Sequence, residues 1–144
     1  LRLDPPLGNP ADQAALIAGL ETGTIDAIAI DHRAYTYEEK TVPFAEAPPG
    51  VIGLELALPL LWNHFVATQR WSALDLWRKL STHPLQILGH PPTQVAPDQP
   101  AEMVLFNPQQ VWPINRQTLH SCSDNTPWFN TTLTGQVLQT WQNG

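Results

Sequence analysis

The stretch Ile25-Asp26-Ala27-Ile28-Ala29-Ile30-Asp31-His32 decides the fold class, because it is a short apolar run that ends on a carboxylate and an imidazole. Thr22-Gly23-Thr24 bounds it on the amino-terminal side. A run this rich in isoleucine and alanine is typical of a buried strand that is covered on both faces. In a barrel of parallel strands, side chains at the carboxyl ends of the strands point into the active-site mouth. We therefore expect Asp31 and His32 to lie at such a mouth.

A helix is expected directly before this strand. Asn9 is a good N-cap, Pro10 suits the first helical position, and Gly23 is a good C-terminal stop. The apolar residues between them recur at helical spacing, at Ala14, Leu16, Ile17 and Leu20. A helix, a tight turn and a buried strand make an α/β unit.

The chain after Asp31 is expected to run as a long polar loop over residues 32–49 and then to become helical. Loops of this length without structure are usually functional. The expected helices run from Val51 to Val66 with a kink or restart at Pro59, from Ser72 through Leu80, and from a cap at Ser81-Thr82-His83-Pro84 to Gly89.

The character of the sequence changes from His90 onward. Proline-rich linkers there separate short β-like runs, at Glu102–Phe106, Val111–Ile114 and Gly135–Trp141. The sequence therefore predicts two parts, an α/β part at residues 1–90 and a smaller β unit at residues 91–144.

Composition excludes several classes of function. The net charge is −6 and the 7 basic residues are scattered, so the chain has no basic face for nucleic acid. The single cysteine, Cys122, rules out an internal disulfide framework and fits a reducing compartment. The apolar run from Val51 to Leu61 carries Glu55 and Pro59 and is too short to cross a bilayer. We expect a cytoplasmic protein, and the start at Leu1 favours a segment of a longer chain.

Asp31 and His32 are the best candidates for chemistry. A carboxylate at a strand tip can bind a metal ion and accept a proton from metal-bound water. The alternative is a capping aspartate beside a solvated histidine. A complete metal site needs three or four ligands, and the other histidines show no paired spacing. This chain alone is therefore not expected to build such a site. The stretch at residues 121–127 lacks a neighbouring base, so we interpret it as a loop in which Cys122 is incidental.

A series of short motifs gives the chain a family resemblance. In order they are Asp4-Pro5-Pro6-Leu7, Ile28-Ala29-Ile30-Asp31-His32, Glu39-Lys40, Phe44-Ala45-Glu46-Ala47-Pro48, Gly50-Val51-Ile52-Gly53-Leu54-Glu55, Ala57-Leu58-Pro59-Leu60, Ala101-Glu102-Met103-Val104-Leu105-Phe106 and Asn125-Thr126-Pro127. The same motifs occur in this order in dihydroorotases, and they cover nearly the whole chain. The sequence resembles the C-terminal third of a dihydroorotase of the amidohydrolase superfamily. Cyanobacterial members resemble it most, through the run from Asp31 to Lys40.

The resemblance implies a fold and a reaction. The fold is α/β: a (β/α)₈ TIM-type barrel, of which this chain holds the last strand and flanking helices, plus the C-terminal strands of a small β-sandwich. Family enzymes interconvert N-carbamoyl-L-aspartate and dihydroorotate in pyrimidine synthesis, using one or two Zn²⁺ ions. Asp31 matches the last-strand aspartate, which binds metal and shuttles the proton. The other metal ligands are expected upstream, so this chain by itself should be inactive.

The resemblance also implies substrate contacts. Pro49 and Gly50 match the position where backbone groups hold the ring. Asp4 stands where the family usually has asparagine, and Tyr35 stands where many members have a histidine that helps bind the substrate carboxylate. Arg33 is a candidate replacement for that histidine, because a guanidinium binds a carboxylate through two parallel hydrogen bonds. It could also offset the negative charge of Asp4.

Two alternatives stay open on the sequence. The first is a non-catalytic dihydroorotase-like scaffold that partners aspartate carbamoyltransferase, which the departures at Asp4 and Tyr35 favour. The second is another cyclic amidohydrolase, such as an allantoinase or a hydantoinase. A homo-oligomer is compatible with either alternative.

Overall fold

The computed structural model describes residues 2–91 and 93–142. Leu1, Pro92, Asn143 and Gly144 belong to the two expected parts of the chain but lie outside the described residues. The helices are α1 (Pro10–Thr22), α2 (Tyr37–Lys40), α3 (Leu54–Leu61), α4 (Ala73–Trp77) and α5 (His83–Ile87), with π-helical turns at Trp62–Val66 and Arg78–Thr82. The strands are β1 (Met103–Pro113) and β2 (Thr132–Trp141).

Helix α1 has the ends that the sequence predicts. The side chain of Asn9 accepts hydrogen bonds from the backbone N–H groups of Ala11 at 2.8 Å and Asp12 at 3.1 Å. The Asp12 carboxylate accepts one in return from the backbone N–H of Asn9 at 2.8 Å. Gly23 ends the helix in the left-handed conformation, with φ of 78°. These contacts satisfy the free backbone donors of the first turn, so the prediction of this helix is confirmed.

The expectation of a strand at Ile25–Ile30, covered on both faces, is wrong for the described residues. This segment joins no sheet; at its end, His32 forms a single parallel bridge with Val51. Ile28 and Ile30 are half-buried, and Ala29 is exposed. A strand needs a hydrogen-bonded neighbour, and the described residues supply one only at this bridge.

The helices after residue 32 differ from the expected ones in where they begin and end. The long loop over residues 32–49 contains one helical turn, α2, which Thr36 and Glu39 cap. Helix α3 begins after Gly53 and passes through Pro59 into the first π turn. Ser72 caps α4 as predicted. The predicted cap at residues 81–84 is wrong, because Thr82 has helical torsion angles and the second π turn leads directly into α5.

The tail forms one antiparallel hairpin. The two expected runs at 102–106 and 111–114 lie mostly on the single strand β1, which is interrupted by two irregularities in its pairing with β2. Strand β2 begins three residues earlier than the expected run, at Thr132 rather than Gly135. The residues between the expected runs, 107–110, include Pro108, which cannot donate a ladder hydrogen bond.

Two apolar clusters hold these elements together. The first consists of Ile17, Phe65, Trp71 and Leu76, in which the Phe65 and Trp71 rings stack with their centroids 3.7 Å apart. The second joins α3 to the tail and consists of Ile52, Leu56, Trp112, Ile114, Leu119 and Leu133. The second cluster therefore contains residues from both sides of the expected boundary at residue 90.

Candidate functional site

Asp31 lies at the end of the extended segment and is open to solvent. Its side chain is 64% exposed, and its Oδ1 atom accepts a hydrogen bond from Arg33 Nε at 3.1 Å. This hydrogen bond raises the pKa of the Arg33 guanidinium above its ordinary value, and a smaller contribution comes from Tyr35. The ion pair therefore places a carboxylate and a permanent cation together at the edge of the molecule.

The parallel bridge brings a second segment against Arg33. The backbone N–H of Arg33 donates to the carbonyl of Val51 at 2.9 Å, so Gly50 lies beside the arginine side chain. Gly50 has a φ of +124°, and a Cβ atom there would come within 2.6 Å of Arg33 Cδ. Only glycine fits this backbone conformation without displacing its neighbour. Asp31, Arg33 and Gly50, three of the predicted site residues, are thus brought together.

Tyr35 and Lys40 hold the end of the polar loop. The hydroxyl of Tyr35 donates to the carbonyl of Pro49 at 3.2 Å. Lys40 Nζ donates to the carbonyls of Pro48 at 2.8 Å and Gly50 at 3.2 Å. The same ammonium lies 5.3 Å from the centroid of the Tyr35 ring, within the range of a cation–π contact. These contacts fix the backbone at residues 48–50, where the substrate ring is expected.

His32 has a structural role that the sequence did not predict. Its half-buried ring accepts hydrogen bonds at Nδ1 from the backbone N–H groups of Gly53 at 3.2 Å and Leu54 at 3.3 Å. These groups are free donors at the start of α3, where Gly53 has no side chain to cap them. The histidine thus fixes α3 against the tip of the extended segment.

Asp4 is not brought to the ion pair. It lies exposed in a bend, and among residues 2–91 and 93–142 it makes no hydrogen bond or ion pair. The Arg33 guanidinium is engaged by Asp31 rather than by Asp4. The expected compensation of Asp4 by Arg33 therefore has no support in these contacts.

Three residues at the site were missed: Lys40, Ser123 and Asn125. Ser123 and Asn125 belong to the stretch at residues 121–127, which we interpreted as a loop without catalytic residues, yet both bond to the segment around Arg33 and Tyr35. The signal that could have identified two of them was present. Lys40 and Asn125 each lie in a motif that carries the family resemblance, Glu39-Lys40 and Asn125-Thr126-Pro127.

The described residues do not form a metal centre by themselves. Within the described part of the chain, no group of three His, Cys, Asp or Glu side chains is placed to hold an ion. Asp31 fits the chemistry of a zinc ligand but supplies only one donor of the three or four required. An open apolar groove of about 600 Å³ lies beside it, lined in part by Ile28, Ile30 and Phe65.

None of the helices in the described part of the chain combines the length and hydropathy needed to cross a bilayer. Cys122 is an exposed free cysteine.

Comparison with known sequences gives two informative relatives, although no protein-family model matches the chain. The chain is 49% identical over 138 residues to a probable dihydroorotase-like protein of Synechocystis sp., a match that covers 96% of this chain and 30% of the relative. It is 39% identical over 139 residues to the dihydroorotase of Bacillus subtilis, covering 96% of this chain and 32% of that enzyme. The chain thus spans about a third of the length of these relatives.

Comparison with solved structures gives the fold. A dihydropyrimidinase from Brevibacillus agri superposes with a TM-score of 0.85 at 22% identity, covering 98% of this chain and 32% of that one. The inactive dihydroorotase-like domain of a CAD-like multifunctional protein of Chaetomium thermophilum superposes with a TM-score of 0.64 at 24% identity, covering 96% of this chain and 36% of that one. At these identities the likeness establishes the α/β fold alone. By sequence, the chain is a homologue of the C-terminal third of the dihydroorotases.

Proposed function

We propose that this chain is the C-terminal segment of a dihydroorotase, which reversibly cyclises N-carbamoyl-L-aspartate to dihydroorotate in de novo pyrimidine synthesis. The observation that carries the proposal is the joining of Asp31, Arg33 and Gly50 by the bridge between His32 and Val51. The 39% identity to the Bacillus subtilis dihydroorotase supports it.

The proposal includes a finer account of the fold. In the intact protein, the extended segment at residues 25–31, which joins no sheet within the described residues, would pair as the last strand of a (β/α)₈ barrel, with α1 before it and α3 after it. The β1–β2 hairpin contributes the C-terminal strands of a small β-sandwich, with the domain boundary at residue 90. The half-buried state of Ile28 and Ile30 supports this assignment, because the apolar side chains of a barrel strand are fully covered only when a strand pairs on each side of it.

Asp31 is the residue to which we assign proton transfer and metal binding. Its Oδ1 atom is engaged by Arg33, while Oδ2 accepts no hydrogen bond within the described residues and is open to hold a proton. Zn²⁺, with one or two ions bound mainly by residues preceding this chain, would supply a polarised carbonyl and an acidic water. The contribution of this chain is one carboxylate at a fixed position beside the substrate.

Arg33, Pro49 and Gly50 are the residues to which we assign most of the substrate binding. The Arg33 side chain remains 46% exposed despite its ion pair, so its guanidinium can reach a substrate carboxylate. The backbone at Pro49 and Gly50 is held by Tyr35 and Lys40, which prepares it to receive the ring. Tyr35 therefore acts by shaping the loop, and Asp4 is a proposed contact that rests on the family resemblance.

The test is the activity of the intact protein that carries this sequence, assayed with Zn²⁺ in both directions beside its Asp31→Asn and Arg33→Ala variants. We expect Asp31→Asn to lower kcat by about 10²-fold to 10⁴-fold, the usual contribution of a positioned proton-transfer group. Arg33→Ala should mainly raise KM for N-carbamoyl-L-aspartate. An unchanged KM would refute the assignment of Arg33.

Two other outcomes would redirect the proposal. A well-folded but inactive and zinc-free protein would favour a scaffold, and co-purification with aspartate carbamoyltransferase would then identify its partner. Turnover of hydantoin or allantoin in place of dihydroorotate would favour a sister cyclic amidohydrolase. The proposed enzyme is cytoplasmic, which the single unpaired cysteine supports, and its oligomeric state can be measured in the same preparation.

A further inference from the structure

The side chain of Asn125 lies across the two segments that carry the candidate substrate contacts. Its Nδ2 atom donates to the carbonyl of Arg33 at 3.1 Å and to the carbonyl of Gly50 at 3.3 Å. These acceptors are 92 and 75 residues away along the chain. One amide group therefore joins both sides of the bridge at the point where Arg33 and Gly50 meet.

Other groups of the same loop form further hydrogen bonds with both segments. The carbonyl of Asn125 accepts from the backbone N–H of Ile52 at 3.3 Å. The hydroxyl of Ser123 donates to the carbonyl of Tyr35 at 2.6 Å and accepts from the N–H of Tyr35 at 3.3 Å. Ser123 is only 7% exposed, so these bonds are shielded from competing water.

The loop that carries Ser123 and Asn125 is itself held from the other side. The carboxylate of Glu55, in the first turn of α3, accepts from the backbone N–H groups of His120 and Ser121, each at 2.8 Å. Asp124 forms an ion pair with Arg116 at 2.7 Å. The loop is therefore anchored independently of the substrate segments and can act as a support for them.

We propose that Asn125 is a positioning residue for substrate binding: it sets the distance between the Arg33 guanidinium and the Gly50 backbone. The inference rests on the proposed function, in which Arg33 receives the substrate carboxylate and Gly50 the ring. Both groups must contact the same substrate molecule at once, so a change in their separation weakens binding even when each remains intact. Asn125 itself does not touch the substrate.

The experiment uses the intact protein and compares Asn125→Ala with Asn115→Ala. Asn115 is a matched control, because it is an asparagine of the same tail whose side chain bonds only locally, accepting from the backbone N–H groups of Gln117 and Thr118. It makes no contact with residues 33–35 or 49–52 among the described hydrogen bonds. The readouts are KM and kcat for N-carbamoyl-L-aspartate, the unfolding midpoint, and amide hydrogen exchange in peptides that cover those two segments.

We expect Asn125→Ala to raise KM about 10-fold or more, with a smaller change in kcat, and to speed exchange in both segments. Asn115→Ala should lower the unfolding midpoint without either change. Asn125→Asp keeps the size of the side chain but replaces the Nδ2 donor by an oxygen facing two carbonyls, so it should behave like the alanine variant. Unchanged exchange in both segments, or equal effects of the Asn115 variant, would overturn the proposal.

The role of Asn125 can be tested whether or not the protein is a dihydroorotase. If the wild-type protein has no dihydroorotase activity, the proposed function fails, and the exchange measurement alone then decides whether Asn125 positions the two segments. If Asn125→Ala does not fold, Ser123→Ala removes one hydroxyl from the same support. Ser123 also bonds to the side chain and the backbone N–H of Asn125, so that variant should speed exchange at Tyr35 and, through Asn125, at residues 49–52. A uniform change across the tail would count against the inference.

Discussion

Replacing Gly50 with alanine tests whether the site requires a residue without a side chain at this position. A Cβ atom at Gly50 would lie 2.6 Å from Arg33 Cδ and 2.7 Å from Arg33 Cβ. Carbon atoms that are not bonded normally stay about 3.5–4.0 Å apart. Arg33 Cβ cannot rotate away, because the backbone N–H of the same residue is bonded to Val51. The arginine and its backbone must therefore move together.

The expected loss of stability has two parts. The φ of +124° at Gly50 is strained for alanine, which costs about 1–3 kcal/mol. The overlap with Arg33 adds about 1–3 kcal/mol, as overpacking usually does. Gly23→Ala is the matched control, because Gly23 also has a positive φ of +78° but a Cβ there would meet nothing within 4 Å. That control should lose only the conformational part, about 1–2 kcal/mol.

The assay is chemical denaturation of the intact protein and of both variants, followed by KM for N-carbamoyl-L-aspartate. Gly50→Ala should unfold at lower denaturant than Gly23→Ala, and it alone should raise KM, because it displaces Arg33, which we propose to bind the substrate carboxylate. Equal losses of stability in the two variants, together with an unchanged KM for Gly50→Ala, would refute the argument from overlap.

Three further predictions concern the supports of the site. His32→Ala should lower the free energy of unfolding by about 1 kcal/mol through loss of the cap on α3, and His32→Asn, which restores an acceptor, should recover part of it; equal losses in the two variants would contradict the capping role. Glu55→Ala should cost about 2–3 kcal/mol, since its charged carboxylate holds two backbone N–H groups of the tail, and a change below about 0.5 kcal/mol in denaturation would contradict this. Hydrogen bonds from Arg70 and Trp71 lower the pKa of Glu21 below its ordinary 4.5; the stability they contribute is therefore present above pH 4.5 and is lost as the pH falls through the lowered value. The unfolding midpoints of the wild type and Glu21→Gln should accordingly differ at pH 7 and converge in acid, and a difference that persists in acid would exclude this linkage.

Local signals predicted both ends of α1 and the start of α4, because each of these caps involves residues within one turn of each other. Asn9 with Asp12 and Ser72 with Asp75 both form the reciprocal contacts that their spacing indicates. The left-handed Gly23 followed from the same reasoning. Such contacts depend on neither the rest of the fold nor the partners of each segment, so sequence is sufficient for them.

The strand state of residues 25–30 could not be predicted in the same way. An apolar run indicates that a segment will be buried, but a strand exists only where a neighbouring strand completes its hydrogen bonds. The described residues offer Ile28 a bond to the carbonyl of Lys79 instead, at 3.0 Å. The two predicted runs merge into β1 for the opposite reason, since here a neighbouring strand is present. Strand β2 pairs with residues on both sides of Pro108.

The sequence supplied Asp31 and Arg33 as candidate site residues but not the residues that support them. Asp31 came from the family resemblance, and Arg33 came from the ability of a guanidinium to bind a carboxylate. Ser123 and Asn125 act through bonds that span 88 and 92 residues. No local pattern marks such a contact, and the motif Asn125-Thr126-Pro127 by itself did not indicate which residues Asn125 binds.

The π turn at Trp62–Val66 also bears on how this sequence could tolerate insertion and deletion. A π turn holds one more residue than the α-helical turn it replaces. Asn63, within this turn, bonds to the carbonyl of Pro59 at 2.9 Å and to that of Thr134 in β2 at 2.6 Å. Removing one residue here would restore a regular helix but rotate everything beyond it by about 100°. Phe65 would then turn away from Ile17, which precedes the turn and belongs to the same apolar cluster, so relatives that lack this turn are expected to carry a compensating change at both positions.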